Sequence, residues 1–312
     1  MAVYYSGNVP VFLDADRRDW GLSRRALENC GERIDAVLAV HAYGAVCRIG
    51  EIAAFCRKRG VPLVEDLAVA QGARFGGRPA GAFGDASVVS FGAGKIVSYG
   101  YGGAVMTDDA SLLAAVERLQ SRLPPFSRAR RLAARGVMLG LRDDYNRWLG
   151  RDINGFWRTF RRRALSSRDA FLHRFSPAWE DGIGLGLSGL PKNLAGRRRR
   201  AAFLKRSLRS ADPRKLRVFA PPAGSVDWRF NVLLNGGRDD LLRKLLAKGC
   251  PVSSWQMPAD LLFGSRAARR GPMDVSDEIG EKILNLWVND EVDDGYLADI
   301  SAEILSQTRR EK

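Results

Sequence analysis

The first 107 residues alternate short apolar segments with segments of helical periodicity, and this alternation is the feature that most restricts the fold. Strands are predicted at 9–16, 34–40, 61–64, 86–91 and 103–107. Helices are predicted at 23–29, where Ser23 is the expected N-cap, and at 47–60, where Gly60 ends the helix. Continuous apolar strands separated by helices indicate a largely parallel sheet with helices on both faces, and therefore an α/β fold.

The rest of the chain predicts two further regions beyond a large domain at 1–117. Residues 118–181 are rich in Arg, Trp and Phe and are predicted to form a helical insertion, which suits a lid, an oligomer contact or a membrane-surface patch. Residues 182–312 predict a connecting basic helix and a smaller C-terminal α/β domain. That domain is predicted to contain strands at 228–234 and near residue 251, and helices at 238–248 and 293–306.

The charge balance is strongly basic, with 50 Lys and Arg against 35 Asp and Glu and a net charge of +15. Such an excess favours anionic partners, which include nucleic acids, anionic membrane surfaces and phosphorylated small molecules. Arginines cluster at 161–163 and 197–200. No zinc-finger spacing, RNA-binding signature or glycine–lysine phosphate loop accompanies them, so nucleic acid is disfavoured as a partner, and membrane contact has no further support.

The sequence predicts a cytoplasmic location. No apolar run reaches the roughly 18 residues that a membrane-spanning helix needs, and the first residues show no basic segment followed by an apolar one, as a secretion signal would. The four cysteines form no C-x-x-C pair, which favours free thiols in a reducing compartment.

One lysine lies among many glycines in the stretch SFGAGKIVSYGYGG. Lys95 follows the predicted strand 86–91, and Asp66 follows the predicted strand 61–64. Ligands of open α/β sheets bind beyond the carboxyl ends of the strands, so we expect both side chains at one site. A lysine there can form a Schiff base with pyridoxal 5'-phosphate, and an aspartate can keep the pyridinium nitrogen protonated. The glycines would leave room for the flat ring, and Ser90 would reach the phosphate. The alternative interpretation is a surface lysine and a turn-forming aspartate.

Three blocks in this order carry a family resemblance: HAYG at 41–44, VEDLAVAQGARFGGRPAGAFGDASVVSFGAGK at 64–95, and GYGGAVMTDD at 100–109. Together they resemble the DegT/DnrJ/StrS family of sugar aminotransferases, which are fold-type I pyridoxal-phosphate enzymes. The resemblance implies that Lys95 binds the cofactor covalently and shuttles the proton, that Asp66 pairs with the pyridinium nitrogen, and that Ser90 contacts the phosphate. A dehydratase branch of the family has histidine in place of the lysine, so Lys95 favours the transaminase side.

The resemblance also implies a reaction and an assembly. An amino group would move from glutamate to a keto sugar carried on a nucleotide diphosphate, as in the synthesis of polysaccharide or glycoconjugate precursors. The site would be completed across a two-fold interface, in a homodimer or in a heterodimer with an intact homologue.

Several positions depart from the family pattern. Val69 stands where the family has a glutamine on the cofactor's phenolic oxygen, and Gln71 is the candidate to replace it. Gly184 stands where the family has an asparagine. The large domain at 1–117 is expected to be N-terminally shortened, without the family's phosphate-binding turn and stacking aromatic. A misassigned start, a partner that supplies this part, or lost activity would explain the difference. Three functions therefore stay open: a working aminotransferase, a truncated or degenerate non-catalytic homologue that acts as a binding or partner protein, and a polyanion-binding protein.

Overall fold

The computed structural model describes residues 2–148, 171–254 and 269–309, with six more residues between 159 and 167. The described helices are α1 (Ala2–Tyr5), α2 (Arg24–Glu28), α3 (Ile49–Arg59), α4 (Ala110–Ser121), α5 (Arg128–Trp148), α6 (Glu180–Ser188), α7 (Leu190–Ser207), α8 (Arg238–Ala247), α9 (Asp274–Lys282) and α10 (Asp294–Thr308). The described strands are β1 (Val11–Phe12), β2 (Val37–Val40), β3 (Leu63–Asp66), β4 (Arg74–Phe75), β5 (Arg78–Pro79), β6 (Ala86–Ser90), β7 (Gly103–Met106), β8 (Leu216–Val218), β9 (Phe230–Leu234), β10 (Val252–Ser253), β11 (Arg269–Arg270) and β12 (Ile283–Leu286).

The first sheet has the strand order β2-β3-β6-β7. The β2–β3 and β3–β6 pairs are parallel, and only β7 runs antiparallel to its neighbour β6. The predicted, mostly parallel sheet is therefore confirmed. Because β3 and β6 are parallel neighbours, their carboxyl ends meet at one edge, and these ends are Asp66 and Ser90. Asp66 is the last residue of its strand rather than the residue after it, as the sequence had suggested.

Local signals correctly predicted the helices that cover this sheet. In α3 the apolar residues at helical spacing, Ile49, Ile52 and Cys56, are each at most 2% exposed. The helix ends at Gly60, whose φ of +64° is a left-handed conformation that glycine adopts without strain. Helix α2 begins after Ser23, whose side chain accepts a hydrogen bond from the backbone N–H of Ala26.

The second sheet, β10-β12-β9-β8, is entirely antiparallel. Leu241, Leu242 and Leu245 of α8 are fully buried in the same core as Leu284 and Leu286 of β12. The sequence predicted β9, α8, β10 and α10 but not β8 or β12. The two missed strands have only three and four residues, too few for periodicity alone to assign them to a strand.

A glycine brings the segment before β9 against the first sheet. The carbonyl of Gly44 accepts a hydrogen bond from the backbone N–H of Val226 at 2.9 Å. Gly44 has a φ of +85°, and a Cβ there would lie 2.2 Å from the Val226 carbonyl oxygen, so no side chain fits at this position. The close approach places residues 226–229 beside the carboxyl edge of the sheet.

The region predicted as a helical insertion contains the 21-residue helix α5. An aromatic cluster connects this region to the first sheet, and its members are Tyr101, Phe126, His173, Phe175 and Trp179. Trp179 packs in the same apolar cluster as Phe91 and Val97, which flank Lys95. None of the described helices is long and apolar enough to cross a bilayer. The domain boundaries at 117/118 and 181/182 stay a prediction.

Candidate active site

Lys95 lies in the loop that follows β6, at the carboxyl edge of the first sheet. Its backbone N–H donates to the carbonyl of Gly92 at 3.3 Å, and its side chain is half-buried. Gly94 has a φ of +76° and would meet nothing within 4 Å if it carried a Cβ. The structure therefore gives a different reason for glycine here than room for a flat ring: the turn that presents Lys95 requires a left-handed residue.

Gln71 holds this loop at both of its ends. Its Nε2 donates to the carbonyl of Ser90 at 3.0 Å, and its Oε1 accepts from the N–H of Val97 at 2.8 Å. The side chain is buried, with 5% exposure. Both ends of the amide bond to the backbone, so the structure shows Gln71 supporting the lysine loop. The predicted contact with the cofactor's phenolic oxygen stays a prediction.

Two residues distant in sequence hold the same loop from its other side. Asn193 of α7 donates through Nδ2 to the carbonyl of Ile96 at 3.2 Å. The indole Nε1 of Trp228 donates to the carbonyl of Gly94 at 2.7 Å. The backbone on both sides of Lys95 is thus fixed by side chains from the second half of the chain, and sequence motifs in the first half contained no signal for them.

Charge and burial together set the proton affinity of Lys95. Burial lowers the pKa of the Lys95 ammonium, the Asp66 carboxylate raises it and the Arg229 guanidinium lowers it, with a net pKa below the usual value of 10.5. The Asp66 carboxylate therefore acts on Lys95 through space. That the two side chains form one binding site stays a prediction. A lysine with a lowered pKa has a larger neutral, nucleophilic fraction near neutral pH.

Asp66 and Ser90 each retain hydrogen-bonding capacity at the strand ends. Asp66 accepts from the N–H of Ala68 through Oδ1 at 2.8 Å, and its Oδ2 accepts from no described residue. Ser90 accepts from the N–H of Gly92 through Oγ at 3.2 Å, which leaves its hydroxyl hydrogen available. A carboxylate oxygen, a hydroxyl donor and a lysine amine at one edge fit the pyridinium nitrogen, phosphate and aldehyde carbon of pyridoxal phosphate.

A buried histidine–carboxylate pair supports the strand that carries Asp66. His41 and Glu65 are both fully buried, with Nε2 and Oε2 3.1 Å apart. His41 Nδ1 accepts from the N–H of Cys47, which assigns the ring proton to Nε2 as donor to Glu65. Glu65 also accepts from the N–H groups of residues 81, 83 and 84, at 2.8, 2.7 and 2.9 Å. Both residues lie within the quoted sequence motifs, but no local pattern indicates that their side chains pair.

Two of the clustered arginines are engaged within the fold. Arg197 is only 3% exposed and donates to Asn193 and to the carbonyl of Trp228. Arg163 is paired with Asp144 at 2.7 Å, and Arg161 lies outside the described residues. These partners account for two of the arginines on which the polyanion-binding alternative rested.

Replacing Gln71 with leucine is expected to loosen the lysine loop. The change leaves the Ser90 carbonyl and the buried Val97 N–H without partners, which costs about 2 kcal/mol of unfolding free energy. We also expect a shifted pH dependence of Lys95 modification, measured by peptide mass spectrometry, because the amine loses its fixed position. The matched control is the exposed Gln120→Leu. Unchanged stability and an unchanged pH profile in Gln71→Leu would contradict the role of Gln71 in holding the lysine loop.

A parallel-rich sheet with a lysine and an aspartate near its carboxyl edge resembles the arrangement of fold-type I pyridoxal-phosphate enzymes. Residues 1–131 match the model of the DegT/DnrJ/EryC1/StrS aminotransferase family. Over these residues the chain is similar to this family. The predicted resemblance is therefore confirmed for the first part of the chain.

Among curated proteins, L-glutamine:scyllo-inosose aminotransferase of Streptomyces griseus is 42% identical over 114 residues, 36% of this chain and 27% of that protein. GDP-perosamine synthase of Escherichia coli O157:H7 is 35% identical over 112 residues, 36% of this chain and 31% of that protein. The matched segment thus spans less than a third of either relative.

Solved structures extend the likeness to almost the whole chain. The aminotransferase TlmJ from Streptoalloteichus hindustanus matches with a TM-score of 0.75 and 27% identity, over 98% of this chain and 74% of that one. DesV of S. venezuelae, at 20% identity, has a TM-score of 0.76 over 100% of this chain and 75% of that one, and shows the fold alone. The predicted fold class, fold-type I, is confirmed.

Proposed function

We propose that the chain is a pyridoxal-phosphate-dependent aminotransferase that moves an amino group from an amino-acid donor to a keto sugar. The observation that carries the proposal is the electrostatic effect of Asp66, at the end of β3, on the half-buried Lys95 in the loop after the neighbouring parallel strand β6. Glutamate is the proposed donor and a nucleotide-linked keto sugar the proposed acceptor. Relatives named for L-glutamine and for a GDP sugar support an amino-acid donor and a sugar-type acceptor.

The cofactor would supply an electron sink, which stabilises negative charge on the carbon next to the transferred nitrogen. Lys95 would hold it covalently and, once displaced by the donor, would carry the proton. Asp66 would bind the pyridinium nitrogen with the oxygen that has no described partner. Ser90 would donate its hydroxyl to the phosphate.

The net pKa of Lys95 suits this proton transfer. A general base works best when its pKa lies near the working pH, and burial moves the lysine in that direction. Asp66 opposes the shift, so the carboxylate prevents a complete loss of the lysine's proton affinity. The clamp of Gln71, Asn193 and Trp228 keeps the amine in one position while its charge changes.

A non-catalytic homologue is the second candidate, and one observation favours it. Val69 stands at the family's glutamine position, and the amide of Gln71 is engaged with the loop backbone. A contact to the cofactor's phenolic oxygen would therefore be missing, which predicts weak cofactor binding. Homodimer or heterodimer formation remains part of both candidates.

The test of the proposed function is a visible spectrum of the purified protein with excess pyridoxal phosphate, followed by borohydride reduction. We expect a new absorption band and, after reduction, cofactor mass on the peptide that contains Lys95. Absence of both at saturating cofactor would reject the aminotransferase and leave the non-catalytic homologue.

Replacing Asp66 with asparagine is expected to reduce turnover more than cofactor binding. An amide does not keep the pyridinium nitrogen protonated, whereas most anchoring contacts remain. We expect kcat to fall at least about tenfold, equivalent to about 1.4 kcal/mol, with a smaller change in the cofactor Kd. The exposed Asp108→Asn is the control. An equal loss of binding and turnover would assign Asp66 to anchoring instead.

A further inference from the structure

Arg229 is a buried cation held between two indole rings. Its guanidinium carbon lies 4.7 Å from the ring centroid of Trp228 and 4.1 Å from that of Trp287. The residue is only 7% exposed, and Nη1 donates to the carbonyl of Trp228 at 3.1 Å. Stacking on aromatic faces fixes the plane of the guanidinium and therefore the direction of its remaining donors.

The remaining donors of Arg229 have no acceptor among the described residues. Within the described part of the chain, no carboxylate forms an ion pair with Arg229, and Nε and Nη2 donate to no residue. Neither nitrogen is among the solvent-inaccessible atoms without a partner, so both keep contact with solvent. Burial, together with Arg197, lowers the pKa of Arg229 to about 10 despite the opposing effect of Glu291. The group is still charged at neutral pH.

Arg229 adjoins the lysine loop. The indole on which it stacks belongs to Trp228, whose Nε1 holds the carbonyl of Gly94, the residue before Lys95. Arg229 also lowers the pKa of Lys95 through space. Two cations are thus held near each other, and a bound anion would relieve their repulsion and the cost of burying a charge without a counter-ion.

We propose that Arg229 binds the carboxylate of the amino-acid donor. The inference rests on the proposed function, because it takes Lys95 as the place where the donor's nitrogen reacts. In an α-amino acid the carboxylate and the amino group are bonded to the same carbon, so a donor whose nitrogen is at Lys95 has its carboxylate within a few ångströms. The planar guanidinium fork matches a carboxylate with two parallel hydrogen bonds.

A phosphate of the sugar nucleotide is the other source of an oxyanion. In a sugar nucleotide the sugar ring separates the phosphate from the reacting carbon. Arg229 stacks on Trp228, which anchors the lysine loop, and therefore lies close to the reacting centre. The position therefore favours the carboxylate, and the phosphate becomes an outcome of the test.

The experiment measures binding without turnover. The protein is loaded with pyridoxal phosphate and reduced with borohydride, which fixes the cofactor on Lys95 and blocks amino transfer. The Kd values of L-glutamine, its α-amide and thymidine diphosphate are then measured by tryptophan fluorescence or ligand-observed NMR. L-glutamine and its α-amide differ at the carboxylate alone, so the ratio of their Kd values isolates its recognition.

We expect the unmodified sequence to bind L-glutamine about tenfold to a hundredfold more tightly than the α-amide, the range for hydrogen bonds to charged groups. Arg229→Gln should bring the ratio close to one, and Arg229→Lys should restore part of it. The control Arg217→Gln removes a half-exposed arginine of the same sheet that pairs with Glu278, and it should leave the ratio unchanged. Thymidine diphosphate should bind equally to all four proteins.

Three results would overturn the proposal. The first is an unchanged ratio in Arg229→Gln, and the second is a weakened Kd for thymidine diphosphate alone, which would assign Arg229 to phosphate. The third applies if circular dichroism shows that Arg229→Gln does not fold: it is a Kd ratio near one in the unmodified sequence. Failure to label Lys95 would reject the proposed function and this inference together, whereas labelling with an unaffected ratio rejects only the inference.

Discussion

Replacing Lys95 with alanine is expected to abolish reductive attachment of pyridoxal phosphate and to lower amino transfer by at least about a hundredfold. The substitution removes the amine that would hold the cofactor and also the group that would carry the proton, and positioned acid–base groups alone contribute about 10²- to 10⁴-fold. The clamp on the loop is made of backbone contacts, so the fold should persist.

The measurement is peptide mass spectrometry after borohydride reduction, together with an amino-transfer assay. Lys58→Ala, on the exposed side of α3, is the matched control and should keep both signals. Equal labelling of Lys95→Ala and the unmodified sequence would show that another amine carries the cofactor.

The pH dependence of labelling gives a second check on the same residue. Only the neutral amine attacks an aldehyde, and the pKa of Lys95 lies below its usual value because of burial. As pH rises, Lys95 should therefore reach half of its maximal labelling rate below pH 10.5, the usual pKa of a lysine side chain. A midpoint at or above that pH would contradict the lowered pKa.

Replacing Glu65 with glutamine is expected to cost about 1.5–3 kcal/mol of unfolding free energy, the range for hydrogen bonds to a charged group. The carboxylate accepts from His41 and from three backbone N–H groups. An amide offers only one oxygen to these donors and turns its NH₂ towards the others. The measurement is urea unfolding, with the exposed Glu117→Gln as control. A loss below about 1 kcal/mol would show that the network adjusts.

The same carboxylate predicts acid sensitivity. Burial raises the pKa of Glu65, but the hydrogen bonds from His41 and the three backbone groups outweigh it, and the net pKa lies below the usual 4.5. The folded state therefore binds fewer protons than the unfolded state, so this stabilisation is complete above about pH 4.5 and is lost as the pH falls through the folded pKa. Glu65→Gln should show a weaker loss of stability than the unmodified sequence between pH 5 and 3, because no carboxylate remains to titrate.

Local sequence pattern correctly predicted much of the first sheet. Apolar runs gave β2, β3 and β6, and helical spacing with a terminal glycine gave α3, because periodicity and caps act within a few residues. The rule that ligands bind at the carboxyl ends of parallel strands then predicted one site for Asp66 and Lys95. It did not place Gln71, whose two hydrogen-bond partners come from β6 and the lysine loop.

The sequence by itself determined the α/β class and the family resemblance, and it predicted the pair Asp66 and Lys95, because each depends on short-range pattern or on an ordered string of motifs. Only the tertiary structure decided what surrounds the lysine. Trp228 meets Gly94 across 134 positions and Asn193 meets Ile96 across 97, and Arg197, which reads as a surface charge in a basic run, is buried against Asn193. Such contacts depend on how the second half of the chain packs on the first, and no local periodicity records that packing.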